Sequence, residues 1–209
     1  MNIHLYLQLN QKRMRIRDVN KIELVKEKAV ELLVEVGFEG FTMAKLAKLC
    51  SISVATLYIY YKDKDDLILQ IGLEETKKLS AMMLEGFDPD FSFADGLRHQ
   101  WKNRARSMLE NPLSCKVIEQ LKTSTYQEKI FESMSETFKQ TLGVFMDKAV
   151  ANGEIEEMPM ETYWSVAFGP LYALVRFHTE GHSIGGRPFI LTDDILWSTF
   201  NLVLKAFKK

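Results

Sequence analysis

Three groups of side chains in this sequence have types and spacings that could support binding or catalysis: a basic cluster, a tyrosine-rich segment and a histidine pair. The basic cluster is the segment KRMRIR, in which Lys12, Arg13, Arg15 and Arg17 fall within six residues. Clusters of this kind attract phosphate backbones or acidic surfaces. A solvated basic tail would explain the same residues, and the net charge of the whole chain is only −1. The basic character is therefore local.

The tyrosine-rich segment is SISVATLYIYY, residues 51–61. A helix that begins at residue 54 would place Leu57 and Tyr61 four positions apart on one face. We expect that face to pack against Leu46 and Ala47 of the preceding segment. The residues that would then point elsewhere are Ala55, Thr56, Ile59 and Tyr60.

The histidine pair consists of His178 and His182, with Glu180 between them. Two histidines four positions apart on a helix can bind a metal ion. Here Gly181 and the following SIGG are expected to end the helix, and no third ligand is apparent in the sequence. We therefore interpret both histidines as structural or solvent-exposed residues and expect no metal site.

The remaining chemistry-bearing residues do not favour an enzyme. The sequence contains no glycine-rich phosphate loop, nucleophile motif or cluster of metal-ligating residues. Its two cysteines, Cys50 and Cys115, match neither a disulfide framework nor a zinc-ligand pair. We expect small buried thiols in a reducing compartment, no cofactor and no catalytic activity.

Length and hydropathy limit the class of protein further. A chain of 209 residues can form one to two domains without covalent staples. It has neither a run of about 18 uncharged apolar residues nor a basic-then-apolar signal pattern at its start. The most apolar window, residues 163–178, contains Pro170 and Arg176 and is typical of a buried helix. We expect a cytoplasmic protein without a membrane partner.

Capping residues and apolar spacing predict four helices in the first part of the chain. Asn20 and Glu23 form a capping box for a helix over residues 20–37, which Gly37 ends. Thr42, Ser53 and Asp63 can cap the next three. The predicted spans of these three helices are 42–50, 54–61 and 63–85. The second and third are short and joined only by SIS, so we predict a helix-turn-helix unit.

The same signals predict helices through the rest of the chain. Ser92 with Asp95 caps a helix that stops before Pro112, and Thr192 caps the last one. Between them we predict a short helix over 113–122, a long one ending near residues 152–153, and one over about 160–180 that Pro170 should kink. No convincing strand, repeat or low-complexity linker occurs. The predicted fold class is all-α.

One segment departs from this helical pattern. In NIHLYLQLN, residues 2–10, apolar residues alternate strictly with more polar ones, as in a strand. A single strand has no partner in an all-helical protein. We therefore expect a flexible arm, or an extension upstream of a natural start at Met14.

The segment FTMAKLAKLCSISVATLYIYYKDKDDLI, residues 41–68, resembles the TetR family of bacterial transcriptional regulators. The matching elements are Thr42, Leu46-Ala47, Ile52-Ser53, Thr56-Leu57-Tyr58, Tyr61, and Lys64 followed by Asp65-Asp66-Leu67. With the preceding helix and Gly37, the specific resemblance covers about residues 20–70. Two features depart from the family: Ser51 stands where glycine is usual in the turn, and the base-facing set contains no Arg, Asn or Gln.

The resemblance implies roles in DNA binding for the first part of the chain. Tyr61 matches a core aromatic, whereas Tyr58 and Tyr60 match positions that face DNA. The implied DNA-binding set is Thr42, Ala44, Val54, Ala55, Thr56, Tyr58, Ile59, Tyr60 and Lys64. Thr42 and Lys64 would contact phosphates. Specificity would rest on thymine-methyl contacts, tyrosine hydroxyls and DNA shape, and the basic arm could add minor-groove or phosphate contacts.

The resemblance also implies two domains: residues 1–66 as arm and DNA-binding domain, and residues 67–209 as a larger helical domain for ligand binding and dimerisation. The last two long helices would form the homodimer. The candidate interface residues are Trp164, Phe168, Tyr172, Val175, Arg176, Thr199, Leu202 and Val203. The candidate ligand-binding residues are Trp101, Arg104, Met108, Tyr126, Phe131, Phe145 and Tyr172. Core packing is the alternative for every residue in both sets.

These features lead to one expected function with one alternative. The first is a TetR-type repressor that binds a palindromic operator in double-stranded DNA as a homodimer and is released by a small hydrophobic or amphipathic effector. The alternative is a DNA-bound adaptor that a protein partner regulates. A closed apolar cavity would favour the first, and a solid core with an exposed apolar patch would favour the second.

Overall fold

The computed structural model describes residues 3–207, with side chains for residues 21–133 and 141–207. This part of the chain is all-α, as predicted, and its only strand-like feature is an isolated bridge between His182 and Pro188. The helices are α1 (Ile3–Gly40), α2 (Met43–Leu49), α3 (Val54–Tyr60), α4 (Lys64–Leu84), α5 (Phe93–Glu110), α6 (Pro112–Lys122), α7 (Gln127–Phe138), α8 (Val144–Ala151), α9 (Met160–Glu180) and α10 (Asp193–Phe207).

Short-range capping defines the starts of α2 to α5 where the sequence predicts them. The side chains of Thr42, Ser53, Asp63 and Ser92 each accept a hydrogen bond from the backbone N–H three residues on. Each bond satisfies one of the N–H groups that a helix start leaves without an internal partner. The short helices α2 and α3 therefore begin at fixed residues.

The first helix differs from the prediction at its start. It begins at Ile3 rather than near Asn20, so the predicted helix start at Asn20 is wrong, and residues 3–10, where we expected a flexible arm, are helical. A helix satisfies its backbone hydrogen bonds internally, whereas a lone strand has no partner. The side chains of Lys12, Arg13, Arg15 and Arg17 lie outside the described part of the chain.

Gly37 interrupts α1 as the sequence suggests. Its backbone has φ 66° and ψ −176°, a conformation that favours glycine, and one further turn carries the chain to Gly40. The amide of Phe41 donates to the carbonyl of Gly37 at 3.1 Å. This break turns the chain toward Thr42 and the start of α2.

The helix predicted to end near residues 152–153 is interrupted in the structure. Residues Lys139–Gly143 form a π-helical turn between α7 and α8, and α8 ends at Ala151.

Pro170 lies inside the continuous helix α9, and Gly181 ends that helix with φ 76°. Within the described residues, no single helix is long and apolar enough to cross a membrane.

Two buried clusters organise the packing. The N-terminal cluster contains residues from α1 to α4, and it also includes Val117 and Leu121 from α6 and Ile130 from α7. The C-terminal cluster is built from α5, α8, α9 and α10 around aromatic residues such as Trp101, Phe168 and Phe200, with further residues from the connecting segments. The core around the helix-turn-helix therefore continues past residue 66 into α6 and α7.

Candidate nucleic-acid interface and internal cavity

The helices α2 and α3 meet at an angle of 105° across a short turn. In this turn the amide of Ile52 donates to the carbonyl of Ala47 at 3.0 Å, and Ser51 has φ 54°. That φ value belongs to the left-handed region, which non-glycine residues occupy at a cost. The geometry is that of a helix-turn-helix unit, with a strained serine where the family usually has glycine.

The inner face of α3 packs as the sequence predicts. Leu57 is fully buried and Tyr61 is nearly so, in the same cluster as Leu46 and Ala47. Burial of an apolar side chain of this size contributes about 1.5–3 kcal/mol. Burial also raises the pKa of the Tyr61 hydroxyl, so this tyrosine is a neutral core residue.

The outer face of α3 is exposed and largely apolar. Ile59 is 75% exposed and Tyr58 is 53% exposed, whereas Tyr60 is partly buried against the N-terminal cluster. Ala55 on α3 and Ala44 on α2 are also exposed, and Val54 is half-buried. Exposed apolar groups of this size on a short helix suit contact with a partner surface.

Two predicted DNA contacts also have structural roles. The hydroxyl of Thr56 lies 2.9 Å from that of Ser53 at the start of α3. The ammonium of Lys64 donates to the carbonyl of Phe38 at 2.8 Å, and Lys45 donates to the carbonyl of Gly40 at 2.7 Å. Both lysines thus bind carbonyls at the end of α1, which is the favourable end of a helix for cations.

Three further lysines on or next to the helix-turn-helix were not predicted from the sequence as DNA contacts. Lys45 and Lys48 lie on α2 and Lys62 follows α3, and all three are exposed. Thr42 is exposed beside them at the start of α2. Their charge was visible in the sequence, but their position next to α3 required the turn geometry.

A partly open cavity of about 370 Å³ lies between α4, α5, α6 and α9. Three of the seven candidate ligand-binding residues line it: Arg104, Met108 and Tyr172. The other lining residues are Thr76, Leu79, Ser80, Met83, Cys115, Ile118, Glu119, Lys122, Trp164 and Arg176. The volume and the largely apolar lining with a few polar groups are those of a small-molecule pocket.

Arg104 is the most deeply buried charge in the lining, at 1% exposure. One guanidinium N–H donates to the hydroxyl of Tyr172 at 2.9 Å. The guanidinium carbon also lies 4.1 Å from the ring centre of Phe168 and 4.8 Å from that of Trp164. Cation–π contacts of this kind hold a guanidinium in a desolvated site.

The other four candidate ligand residues lie elsewhere. Trp101 and Phe145 are core residues, and the indole N–H of Trp101 donates to the carbonyl of Ala167 at 2.7 Å. Tyr126 packs on Phe38 in the N-terminal half of the molecule. Phe131 is half-exposed beside residues of its own helix, α7. None of the four lines the cavity between α4 and α9.

The walls of the cavity that α4 and α6 contribute were not predicted from the sequence. Thr76, Leu79, Ser80 and Met83 recur at spacings of three and four on α4, which is a single helical face. Small polar residues on that face could have indicated a pocket. Cys115 lies in the α6 wall, and burial raises its pKa to about 11, so it is a neutral thiol there.

A groove of about 410 Å³ adjoins the cavity between α6 and α9. Five residues line both spaces: Met108, Cys115, Glu119, Tyr172 and Arg176. The groove also includes Val34 of α1 and the exposed residues Lys116 and Glu180. The cavity and the groove therefore adjoin each other along these shared residues, and the groove reaches α1.

The candidate dimer residues separate into three groups. Phe168, Val175 and Val203 are buried within the single chain, so they cannot supply interface area. Trp164 and Tyr172 line the cavity. Arg176, Thr199 and Leu202 remain accessible, with Leu202 at 65% exposure.

The histidine pair does not form a metal site in the described residues, where no group of three potential ligands was found. His178 accepts a hydrogen bond from the amide of Leu191 at Nδ1, at 3.2 Å. His182 lies beyond the end of α9, in the bridge with Pro188. His178 thus holds the segment that leads into α10.

Comparison with known proteins gives consistent results. Residues 27–71 match the sequence model of bacterial regulatory proteins of the tetR family. An uncharacterised helix-turn-helix transcriptional regulator of Haemophilus influenzae is 32% identical over 81 residues, which is 39% of this chain and 43% of that protein. The fatty acid metabolism regulator protein of Bacillus subtilis is 22% identical over 132 residues, 62% of this chain and 68% of that one.

A solved structure extends the similarity to nearly the whole chain. The crystal structure of a TetR family transcription regulator from Marinobacter aquaeolei VT8 is 27% identical, with a TM-score of 0.77 over 93% of this chain and 99% of that one. Its family is the one whose model matches the helix-turn-helix segment. The helix-turn-helix segment of this chain therefore matches the TetR family of bacterial regulatory proteins, and nearly the whole chain has the fold of a TetR family transcription regulator.

Proposed function

We propose that this protein is a homodimeric TetR-type repressor that binds a palindromic operator and is released by a small hydrophobic or amphipathic effector. The observation that carries this proposal is the pairing of an exposed recognition helix with an internal cavity that α4 connects to it. A cavity of about 370 Å³ favours a small-molecule effector over regulation by a protein partner.

DNA reading is assigned to the outer face of α3. Ile59 and Tyr58 project furthest from the unit, and an α-helix fits the major groove of B-DNA. Ile59 suits the methyl group of thymine, and the Tyr58 hydroxyl can bond to a base edge or a phosphate. The exposed lysines 45, 48 and 62 supply sequence-independent attraction to the backbone.

Signal transmission is assigned to α4 and α6, because each helix contacts both parts of the molecule. On α4, Leu67 and Ile68 lie in the N-terminal cluster while Leu79 lines the cavity. On α6, Leu121 lies in that cluster while Ile118 faces the cavity. An effector that fits one arrangement of these helices better than the other would change the spacing of the two recognition helices.

Dimerisation is assigned to the exposed faces of α9 and α10. One recognition helix reads only a few base pairs, and two of them must lie about 34–36 Å apart to read successive major-groove segments. Ser165 and Gly169 on α9 are exposed and small, which allows helices to approach closely. Leu202 on α10 is 65% exposed and supplies apolar area on the neighbouring helix.

The proposal is tested by selecting bound sequences from random duplex DNA and comparing two matched variants. Ile59→Ala should weaken binding to the selected operator by about tenfold, because it removes apolar surface that would be buried against DNA, worth on the order of 1–2 kcal/mol. Ile190→Ala is the control, since Ile190 is exposed to a similar extent, 72% against 75%, but lies outside the helix-turn-helix. Tyr60→Ala is a less clean test because Tyr60 also packs on the core.

Enrichment of an inverted repeat, with an affinity loss only in Ile59→Ala, would support the proposal. No enrichment by a folded dimer would contradict operator binding. An enriched site that Ile59→Ala and the control bind equally well would remove Ile59 from the base-reading set.

A further inference from the structure

We propose that the effector is an amphipathic carboxylate, an apolar molecule whose single carboxylate binds Arg104 while its body follows the cavity toward the groove between α6 and α9. This inference rests on the proposed effector function and specifies its ligand chemistry. It is carried by the buried cation, by two hydroxyl groups in the same lining and by the apolar walls of the space.

Arg104 provides the charge that selects an anion. It is buried at 1% exposure and lines the cavity, and a guanidinium remains protonated in proteins. Charge-assisted bonds from Arg to carboxylate are stronger and often bidentate, and a low local dielectric strengthens them further. A carboxylate is thus a better match for this position than a neutral polar group.

Two hydroxyl groups can complete the carboxylate site. Thr76 is 2% exposed and lines the cavity, and its hydroxyl oxygen has no hydrogen-bond partner among the described residues. Buried polar groups are nearly always satisfied, so such an exception indicates a missing partner. The hydroxyl of Tyr172 accepts from Arg104 at 2.9 Å and can still donate its own proton.

The charges around the cavity also favour an anion. Among the residues whose side chains the structure describes, the lining contains three cationic side chains, Arg104, Lys122 and Arg176, and one acidic side chain, Glu119. Glu119 is paired with Lys122 at 2.9 Å. Cationic side chains therefore outnumber acidic ones in this described lining, which favours an anionic ligand over a cationic one.

The residues that line the cavity and the adjoining groove determine the chemistry of the ligand beyond its carboxylate. Leu79, Met83 and Ile118 line the inner cavity, and Val34 and Val175 line the adjoining groove. Because the two spaces share five lining residues, they adjoin, and the apolar body of the proposed ligand would extend along both. Its far end would then contact α1, the helix that packs against the helix-turn-helix.

The test compares three ligands of equal chain length, decanoate, decan-1-ol and methyl decanoate, by calorimetry with the purified full-length protein in the absence of DNA. Decanoate should bind at least tenfold more tightly than either neutral ligand, because only it pairs with Arg104. Equal affinities for all three ligands would overturn the proposal, and so would preferential binding of the alcohol or the absence of decanoate binding.

Two variants locate the carboxylate. Arg104→Met should reduce decanoate affinity by roughly 10- to 100-fold and leave decan-1-ol affinity unchanged. Because Arg104 is buried, Thr76→Val provides a second variant of nearly the same shape, for which we expect a loss of about tenfold for decanoate alone. Full decanoate affinity in a folded Thr76→Val and a folded Arg104→Met protein would contradict this site.

Operator release is measured separately with the selected DNA. Decanoate binding that leaves operator affinity unchanged would support the ligand chemistry and contradict the proposed effector function. Absence of both operator binding and decanoate binding would contradict both proposals.

Discussion

At the scale of single residues, Ser51 shows the cost of the tight turn between α2 and α3. Its φ of 54° places a side-chain-bearing residue in the left-handed region, where an L-residue costs roughly 1–2 kcal/mol. The neighbouring bond from the Ile52 amide to the Ala47 carbonyl fixes the turn in spite of that cost. The turn is therefore imposed by the packing of α2 against α3 and not by the preference of Ser51.

We predict that Ser51→Gly stabilises the protein by about 0.5–1 kcal/mol, because glycine adopts this φ without a steric penalty but loses more chain entropy on folding. The measurement is urea unfolding, with a higher midpoint and an unchanged slope. Ser51→Ala is the control, since alanine retains the Cβ atom. Equal stability of the glycine and alanine variants would contradict strain at this position.

At the scale of helices, the start of α7 is attached to the start of α4. The hydroxyl of Tyr126 donates to the carboxylate of Asp65 at 2.7 Å, and its ring packs on Phe38. Burial, followed by the hydrogen bond to Asp65, raises the pKa of Tyr126 to about 12. This contact joins the first turn of α4, directly after the helix-turn-helix, to the start of α7.

We predict that Tyr126→Phe lowers the free energy of unfolding by about 0.5–1.5 kcal/mol at neutral pH, because it removes the hydrogen bond and retains the ring. The folded-state pKa is raised, so this stabilisation is fully present below the unfolded pKa of about 10 and is lost as pH rises toward 12. Urea unfolding of wild type and variant across this range measures the difference. Tyr58→Phe, at an exposed hydroxyl, is the control.

A difference between wild type and Tyr126→Phe that stays constant from pH 7 to 12 would contradict the role of the ionisable hydroxyl. A loss in Tyr58→Phe as large as that in Tyr126→Phe would show that the effect is not specific to the Asp65 contact.

At the scale of the whole molecule, the outer faces of α9 and α10 are exposed in the part of the chain that the structure describes. The aromatic side of α9 is turned inward, where Phe168 lies in the core and Trp164 lines the cavity. The outward side carries Gly169, and a Cβ atom placed there would meet no atom within 4 Å. A bulky side chain at this position is therefore compatible with the folded monomer.

We predict that Gly169→Leu folds normally but weakens the homodimer by at least about tenfold, because the added side chain separates helices that approach closely at small residues. Leucine also has a higher helix propensity than glycine, by about 0.8 kcal/mol, so the monomer should not be destabilised. Sedimentation equilibrium measures the dissociation constant. Lys102→Leu adds an exposed leucine on α5 as a control, and an unchanged dimer in Gly169→Leu would exclude this face as the interface.

The sequence alone determined the features that depend on neighbours within about four residues. Thr42, Ser53 and Asp63 cap helices through bonds to residues three positions on, and Leu57 and Tyr61 share the buried face because of helical spacing. The all-α class and the helix-turn-helix follow from such local patterns. The family resemblance, based on the same residues, was confirmed.

Only the tertiary structure decided which residues meet across the chain. Trp101 and Arg104 lie one turn apart on α5, yet the first enters the core and the second lines the cavity. Likewise Val203 is buried while Leu202 is exposed. The sequence shows how residues are spaced along one helix. Which side of that helix is buried depends on the packing of helices distant in sequence, because burial is determined by all neighbouring residues together.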